Sequence, residues 1–213
     1  SKQLIEKNKI ETIEELKSEM TSNPSLLNNV QKIGLKYYDD LLQRIPRSEI
    51  EVFHEELRLE FCKMNKPTSS FEIVGSYRRG AKSSGDIDVI ITDSSNNIDV
   101  FKTVLDQLKD NGIIIETLSE GKTKSLTIGK IKDGKPRRID FLYSNPTEYP
   151  FAVLYFTGSK AFNASMRGYA QTRGLRLNEH GLRKLINNKP ETSYLDLSIV
   201  SEKDIFNYLQ LQY

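Results

Sequence analysis

Tryptophan is absent from this 213-residue chain, cysteine occurs once and histidine twice. The lone Cys62 excludes an internal disulfide, and with His54 and His180 as the only imidazoles no Cys/His zinc site can be assembled. Any metal has to bind carboxylates. Long apolar runs are missing too: none approaches the roughly 18 residues of a membrane span, and the opening SKQLIEKNKI lacks the apolar stretch of a signal peptide. A soluble, intracellular protein is expected, with no membrane partner. There is no internal repeat and no low-complexity tract. What is present is 37% hydrophobic and 28% charged residues, enough to bury a core in one compact domain or two small ones.

The net charge of +2 would by itself predict no partner, but it is unevenly spread. Residues 1–70 carry 11 basic and 12 acidic side chains and residues 71–150 carry 12 of each, whereas residues 151–213 carry 8 basic and 5 acidic. Six of those bases, Lys160, Arg167, Arg173, Arg176, Arg183 and Lys184, fall in a 25-residue stretch whose only carboxylate is Glu179. This is where a polyanion would be gripped, although a solvated face has the same composition.

Residues 3–62 read as helical, with Leu4, Ile5, Ile13, Leu16, Met20, Leu35, Tyr38, Leu41 and Leu42 spaced by threes and fours and breaks near Thr21–Pro24 and at Pro46. Pro46 and Ser48 mark the start of a helix from about Glu49 to Asn65, with Val52, Phe53, Leu57 and Phe61 on one stripe. After Pro67 the pattern becomes short and β-branched: FEIVG and DIDVIIT read as strands. A helix follows from Asp99 to Lys109, then three strands, IIIETLS, SLTIGKI and RRIDFLYS, the last two joined by Asp133-Gly134. Beyond Pro150 come the apolar run VLYFTGS, a helix from about Lys160 to Arg173, a short Leu-Arg-Leu strand and a closing helix in SEKDIFNYLQLQ.

The chemistry concentrates in GSYRRGAKSSGDIDVII, residues 75–91. Side chains two apart on a strand share a face, so Asp86 and Asp88 project together while Ile87 and Val89 face the core. Two negative charges held that close need a neutralising cation, and hard oxygen ligands suit Mg²⁺. In Arg138-Ile139-Asp140-Phe141 a single acid stands between large apolar residues on a second strand and requires a partner, either a neighbouring arginine (Arg137 or Arg138) or a metal. If the two strands are adjacent, three carboxylates converge, enough for two Mg²⁺ about 3.5–4 Å apart, the arrangement that serves phosphoryl and nucleotidyl transfer. Gly75 and Ser76 fit a phosphate cradle: glycine lets the backbone approach, and amides and a hydroxyl donate. Arg79 adds a guanidinium for bidentate phosphate contact. Cradle and metal ligands thus fall within residues 75–88.

Taken together, GSYRRG, SSGDIDV, RRIDF, YFTGS, FNASMR, LNEHGL and SEKDIF, with IGLKYYDDLLQRIPR at residues 33–47, resemble the family X DNA polymerases, the beta-type enzymes above all, with some lambda-like features. The resemblance runs through nearly the whole chain in the same order. It implies an α+β fold: an N-terminal helical DNA-binding subdomain (1–48), a nucleotidyltransferase palm with a mixed β-sheet and covering helices (49–150), and a small α/β thumb-like subdomain for the nascent base pair (151–213). It also implies that Asp86 and Asp88 bridge two Mg²⁺ ions, for which Mn²⁺ substitutes, while Asp140 binds the catalytic ion and helps deprotonate the primer 3'-hydroxyl. Arg44, Gly75, Ser76, Arg79, Ser84 and Gly85 would hold the triphosphate. Tyr155, Phe156 and the backbone of Gly158 would lie against the deoxyribose, Asn163 against the incoming base and Arg167 against the template strand. Arg138 would stand beside the primer end, with Lys160, Arg173 and Arg176 further DNA contacts.

The same resemblance marks departures. No glycine-containing helix-hairpin-helix and no lyase domain are legible near SKQLIEKNKI, as expected of a fragment. Lys160 stands where beta-type enzymes carry an acid, and His180 where they carry an aromatic. The link from SLTIGKI to RRIDF is too short for the long loop of template-independent synthesis. The expectation is a monomeric, template-directed, gap-filling repair polymerase acting on gapped or primer-template DNA and a dNTP, nuclear if the source cell has a nucleus. The alternatives are a template-independent, RNA or small-molecule nucleotidyltransferase, and a non-catalytic DNA-binding module.

Overall fold

The structure is a computed structural model and describes residues 10–131 and 134–213, so Leu4, Ile5 and Asp133 lie outside the described residues. It divides into two compact units, Ser1–Leu42 and Gln43–Tyr213. In the first, α1 (Ile13–Ser22) and α2 (Asn29–Lys36) each begin at a capping box, Thr12 with Glu15 and Asn28 with Gln31, and a short α3 (Tyr38–Leu41) follows. Ile10, Leu16 and Leu27 form its small core, with Met20 and Leu35 against it. Leu42, expected on the apolar stripe, is exposed.

The second unit opens with β1 (Ile45–Pro46), which pairs with β3 (Ser83–Ser84), and α4 (Arg47–Lys63). Pro46 occupies the N-cap and Ser48 makes no cap bond; the buried stripe of α4 is Ile50, Phe53, Leu57 and Glu60, and Val52 is exposed. The expected stripe ran one position too far round the helix at Val52: Ile50, Phe53 and Leu57 are the set at helical spacing that meets the sheet.

That sheet has five strands in the order β2-β4-β7-β6-β5: β2 (Ser69–Ile73), β4 (Ile87–Asp93), β5 (Ile114–Glu120), β6 (Lys124–Lys130) and β7 (Pro136–Tyr143). Only β4 and β7 pair in parallel; the other neighbours are antiparallel, so the sheet is mixed. Ile87, Val89, Ile91, Ile139 and Phe141 face α4 and α6 (Asp99–Asp110), whose Val100, Val104, Leu105 and Leu108 follow the expected helical stripe. On the opposite face, Ile90 and Val74 pack against Ala152 and Val153 of α7 (Tyr149–Thr157). Apolar cover on both faces explains why β4 reads as an almost unbroken run.

A second core joins α7 to α8 (Lys160–Thr172), α9 (Glu202–Tyr208) and a small antiparallel sheet, β8 (Leu175–Asn178), β9 (Gly181–Ile186) and β10 (Lys189–Pro190). Met166 and Ala170 of α8 are buried there, with Phe162 and Tyr169 packed beside them. The architecture is α+β. Among the described residues no helix is long and apolar enough to cross a membrane.

Candidate active site

Strand pairing brings the acids together. Asp88 and Asp140 are Cα partners across the parallel β4–β7 pair, so the two carboxylates stand on adjacent strands about 4.8 Å apart in backbone spacing. Asp86 immediately precedes β4, two positions before Asp88 and therefore on the same side. Asp86 and Asp88 line a cavity of about 900 Å³, whereas Asp140 is buried and does not line it.

The short helix α5 (Gly75–Arg78) follows β2 directly. Gly75 has φ +65°, and a Cβ there would stand 2.7 Å from Asp88 Oδ2, so only glycine allows this backbone to pass so close to the carboxylate. Ser76 Oγ donates to Ser84 Oγ at 2.7 Å, joining the cradle to β3, and Ser84 is fully buried. Gly85 follows it and carries the chain into Asp86. Arg44 reaches the same strand from before β1, its Nε donating to Ser83 Oγ at 2.8 Å.

The remaining lining comes from α7, α8 and β8. Tyr155, Phe156, Gly158, Lys160, Asn163, Arg167 and Arg176 line the cavity with Gly75, Ser76, Arg79, Asp86 and Asp88. The Asn163 side-chain amide donates to the Tyr155 carbonyl at 2.7 Å, fixing α8 to α7. Of the basic residues expected at DNA, Lys160, Arg167 and Arg176 face the cavity; Arg173 points elsewhere and donates to Tyr169 Oη at 3.2 Å.

Residues 44–146 match the DNA polymerase beta palm, and residues 152–213 the DNA polymerase beta thumb. The chain belongs to the DNA polymerase beta family. Within that family it is 34% identical to DNA polymerase lambda of Rattus norvegicus over 196 residues, 86% of this chain and 34% of the relative. It is 30% identical to DNA polymerase lambda of Arabidopsis thaliana over 216 residues, 93% of this chain and 40% of that one. A DNA nucleotidylexotransferase of Xenopus laevis is 27% identical over 241 residues, 95% of this chain and 46% of the relative. The chain thus spans between a third and a half of the length of these family members.

The electrostatics of this family X site are those of an under-neutralised anionic cluster. The Asp88 carboxyl is pushed up to about 6, first by burial and then by the charges of Asp86 and Asp140; Arg138 and Lys124 only partly offset this. Arg138 donates to both oxygens of Asp140, Nε to Oδ1 at 3.1 Å and Nη2 to Oδ2 at 2.8 Å, so the arginine is the partner that Asp140 has in this structure. Accordingly, among the described residues no three Asp, Glu, His or Cys side chains form a ready-made set of metal ligands. The donor set still fits Mg²⁺: all ligands are hard carboxylate oxygens, and the crowding of Asp86 and Asp140 on Asp88 is what a cation would relieve.

Sequence reasoning missed three groups. Ala164, Gly168 and Gln171 line the cavity, and their spacing from Lys160 along α8 was a legible signal. Asn188, with φ +61° in the two-residue β9–β10 turn, also reaches it; the Asn187-Asn188 pair was the cue. The partners of Arg78 carried no local signal at all.

Proposed function

We propose that this chain is the catalytic part of a template-directed DNA polymerase that fills short gaps. The observation that carries the reading is the pairing of Asp88 with Asp140 across two adjacent strands, with Asp86 just before the first, where Asp86 and Asp88 line one cavity with Gly75, Ser76 and Arg79 and with Tyr155, Phe156 and Asn163. The first three of these lining residues suit a triphosphate and the last three a sugar and base.

In this reading residues 1–48 help hold DNA, residues 49–150 carry the chemistry and residues 151–213 receive the nascent base pair. Asp86, Asp88 and Asp140 hold two Mg²⁺, or Mn²⁺ in their place; when bound, these ions lower the pKa of the attacking hydroxyl and stabilise the leaving pyrophosphate. Arg138 turns from Asp140 toward the primer end, which frees both Asp140 oxygens. Asp140 then helps take the proton from the primer 3'-hydroxyl as its oxygen bonds to the α-phosphorus and the bond to pyrophosphate breaks. Ser76 and Arg79, with Arg44, Ser84 and Gly85 behind them, hold the departing phosphates. Tyr155 and Phe156 leave no room for a ribose 2'-hydroxyl. Arg167, Lys160, Arg173 and Arg176 contact DNA. The protein acts as a monomer and, in a cell with a nucleus, there.

A template-independent reading draws on the DNA nucleotidylexotransferase match. Against it, only residues 131–135 separate β6 from β7, closed by Gly134 N–H donating to the Ile131 carbonyl at 2.6 Å. Primer extension on a one-nucleotide gap, with and without a template strand and with dNTP against NTP, tests the proposal. Templated dNTP incorporation is expected, and Asp140→Ala should lower it by at least about a hundredfold. Undiminished extension by Asp140→Ala would refute the mechanism.

A further inference from the structure

Arg78 and Arg79 are adjacent in sequence, yet their guanidinium groups reach one residue, Thr157, from two sides. Arg79 donates to the Thr157 carbonyl, and Arg78 Nη1 donates to the Thr157 hydroxyl at 3.1 Å. Arg78 also forms a bidentate pair with Glu202, Nη1 to Oε1 at 2.9 Å and Nη2 to Oε2 at 2.6 Å, and its Nε donates to Glu72 Oε1 at 3.1 Å. One planar fork therefore joins β2, the end of α7 and the first residue of α9, a geometry a lysine cannot reproduce.

This is not a rim ion pair of negligible value. The Glu202 side chain is only 11% exposed and that of Arg78 28%, so removing either leaves the other poorly solvated. The site lies where the palm match (44–146) meets the thumb match (152–213), with Arg78 in the first and Thr157 and Glu202 in the second. Thr157 leads into Gly158, and a methyl group on Gly158 would stand 3.3 Å from Arg79 Nη1. Ser159, next along, caps α8 by accepting from the Phe162 amide. Any shift of Thr157 is therefore passed both to Arg79 and to the start of the helix that carries Lys160, Asn163 and Arg167.

We infer that Arg78 is a positioning residue for nucleotide binding: its pair with Glu202 docks α9 and the end of α7 onto the phosphate loop, and so fixes the distance between Arg79 and the α8 wall that a nucleoside triphosphate has to span. The inference rests on the reading of this cavity as a dNTP site. It predicts a defect in dNTP affinity rather than in the chemical step, because Arg78 bonds to Glu72, Thr157 and Glu202 and does not line the cavity that Asp86 and Asp88 share.

The test measures dNTP binding to the chain on gapped DNA with a dideoxy-terminated primer, which needs no chemistry, and separately the single-turnover extension rate at saturating dNTP. Arg78→Gln and the isosteric Glu202→Gln should each weaken dNTP binding about tenfold while changing the saturated rate less than threefold. The double variant should be no worse than either single one, since both break one pair. The exchanged pair Arg78→Glu with Glu202→Arg should recover at least half of the lost affinity. Thermal unfolding, followed in parallel, separates folding from positioning. Lower melting temperatures with dNTP affinity unchanged in both single variants would overturn the inference, as would singles whose effects multiply. A parent chain that binds dNTP but extends no primer would instead refute the catalytic reading, and the binding comparison would still decide the role of Arg78.

Discussion

At Asp88 a single side chain links stability, pH and metal. Its carboxyl ionises at about 6 in the folded protein against 3.8 ordinarily, because burial and two neighbouring aspartates disfavour the charge. The folded state therefore keeps this proton to higher pH than the unfolded chain does, and stability from this site falls as pH rises from about 4 to about 6. Above that window the loss is about 3 kcal/mol. In metal-free protein at pH 7.5, Asp88→Asn should raise the melting temperature by several degrees, and by much less at pH 4.5. Mg²⁺ should stabilise the parent at pH 7.5 and not the variant; a parent melting temperature indifferent to both pH and Mg²⁺ across this range would contradict the electrostatic account. The acid pair was legible in the sequence because period-two spacing needs no tertiary information. The hold of Arg138 on Asp140 was legible only as one of two alternatives, since a carboxylate between two apolar residues accepts an arginine or a cation equally well.

Single elements show why some of the fold was readable and some was not. Helix α6 announced itself through Val100, Val104, Leu105 and Leu108, one stripe against water. Helix α7 did not, because Tyr149–Thr157 is apolar all round, packed on the sheet by Ala152 and Val153 and on α8 and α9 by Phe151 and Leu154; without a polar face there is no period to read. Strands β9 and β10 went unread for a different reason: Arg183, Lys184 and Lys189 look in sequence like a basic loop, and only the pairing of β9 with β8 and β10 makes them a sheet. Strand β7 is anchored by Arg137, 5% exposed, whose Nε and Nη2 donate to Glu49 at 2.7 and 2.8 Å and whose Nη1 donates to the Gln43 carbonyl at 3.2 Å. Arg137→Ala should destabilise the protein by about 3 kcal/mol, because it leaves the partly buried Glu49 unpaired. Denaturant unfolding measures this, and a loss below about 1 kcal/mol would show that the pair is solvated.

Across the whole molecule the near-neutral total conceals a division of labour. Acids gather at the sheet and bases along α8 and β8, and the cavity is lined by Asp86 and Asp88 as well as by Arg79, Lys160, Arg167 and Arg176. If Arg176 contacts a phosphate, Arg176→Ala should weaken DNA binding similarly for all sequences and reduce the slope of log affinity against log salt by about one; an unchanged slope would remove it from the interface. The joining of residues 76, 79, 155 and 163 around one cavity could be anticipated only through the resemblance, because no local pattern brings α7 and α8 to the phosphate loop. The most direct test is a structure of this chain with gapped DNA, a non-hydrolysable dNTP and Mn²⁺, the ions located by their anomalous scattering. Two peaks between Asp86, Asp88 and Asp140, with Arg138 turned to the primer end, are predicted. A bound nucleotide with Asp140 still paired to Arg138 and the ions held elsewhere would contradict the account.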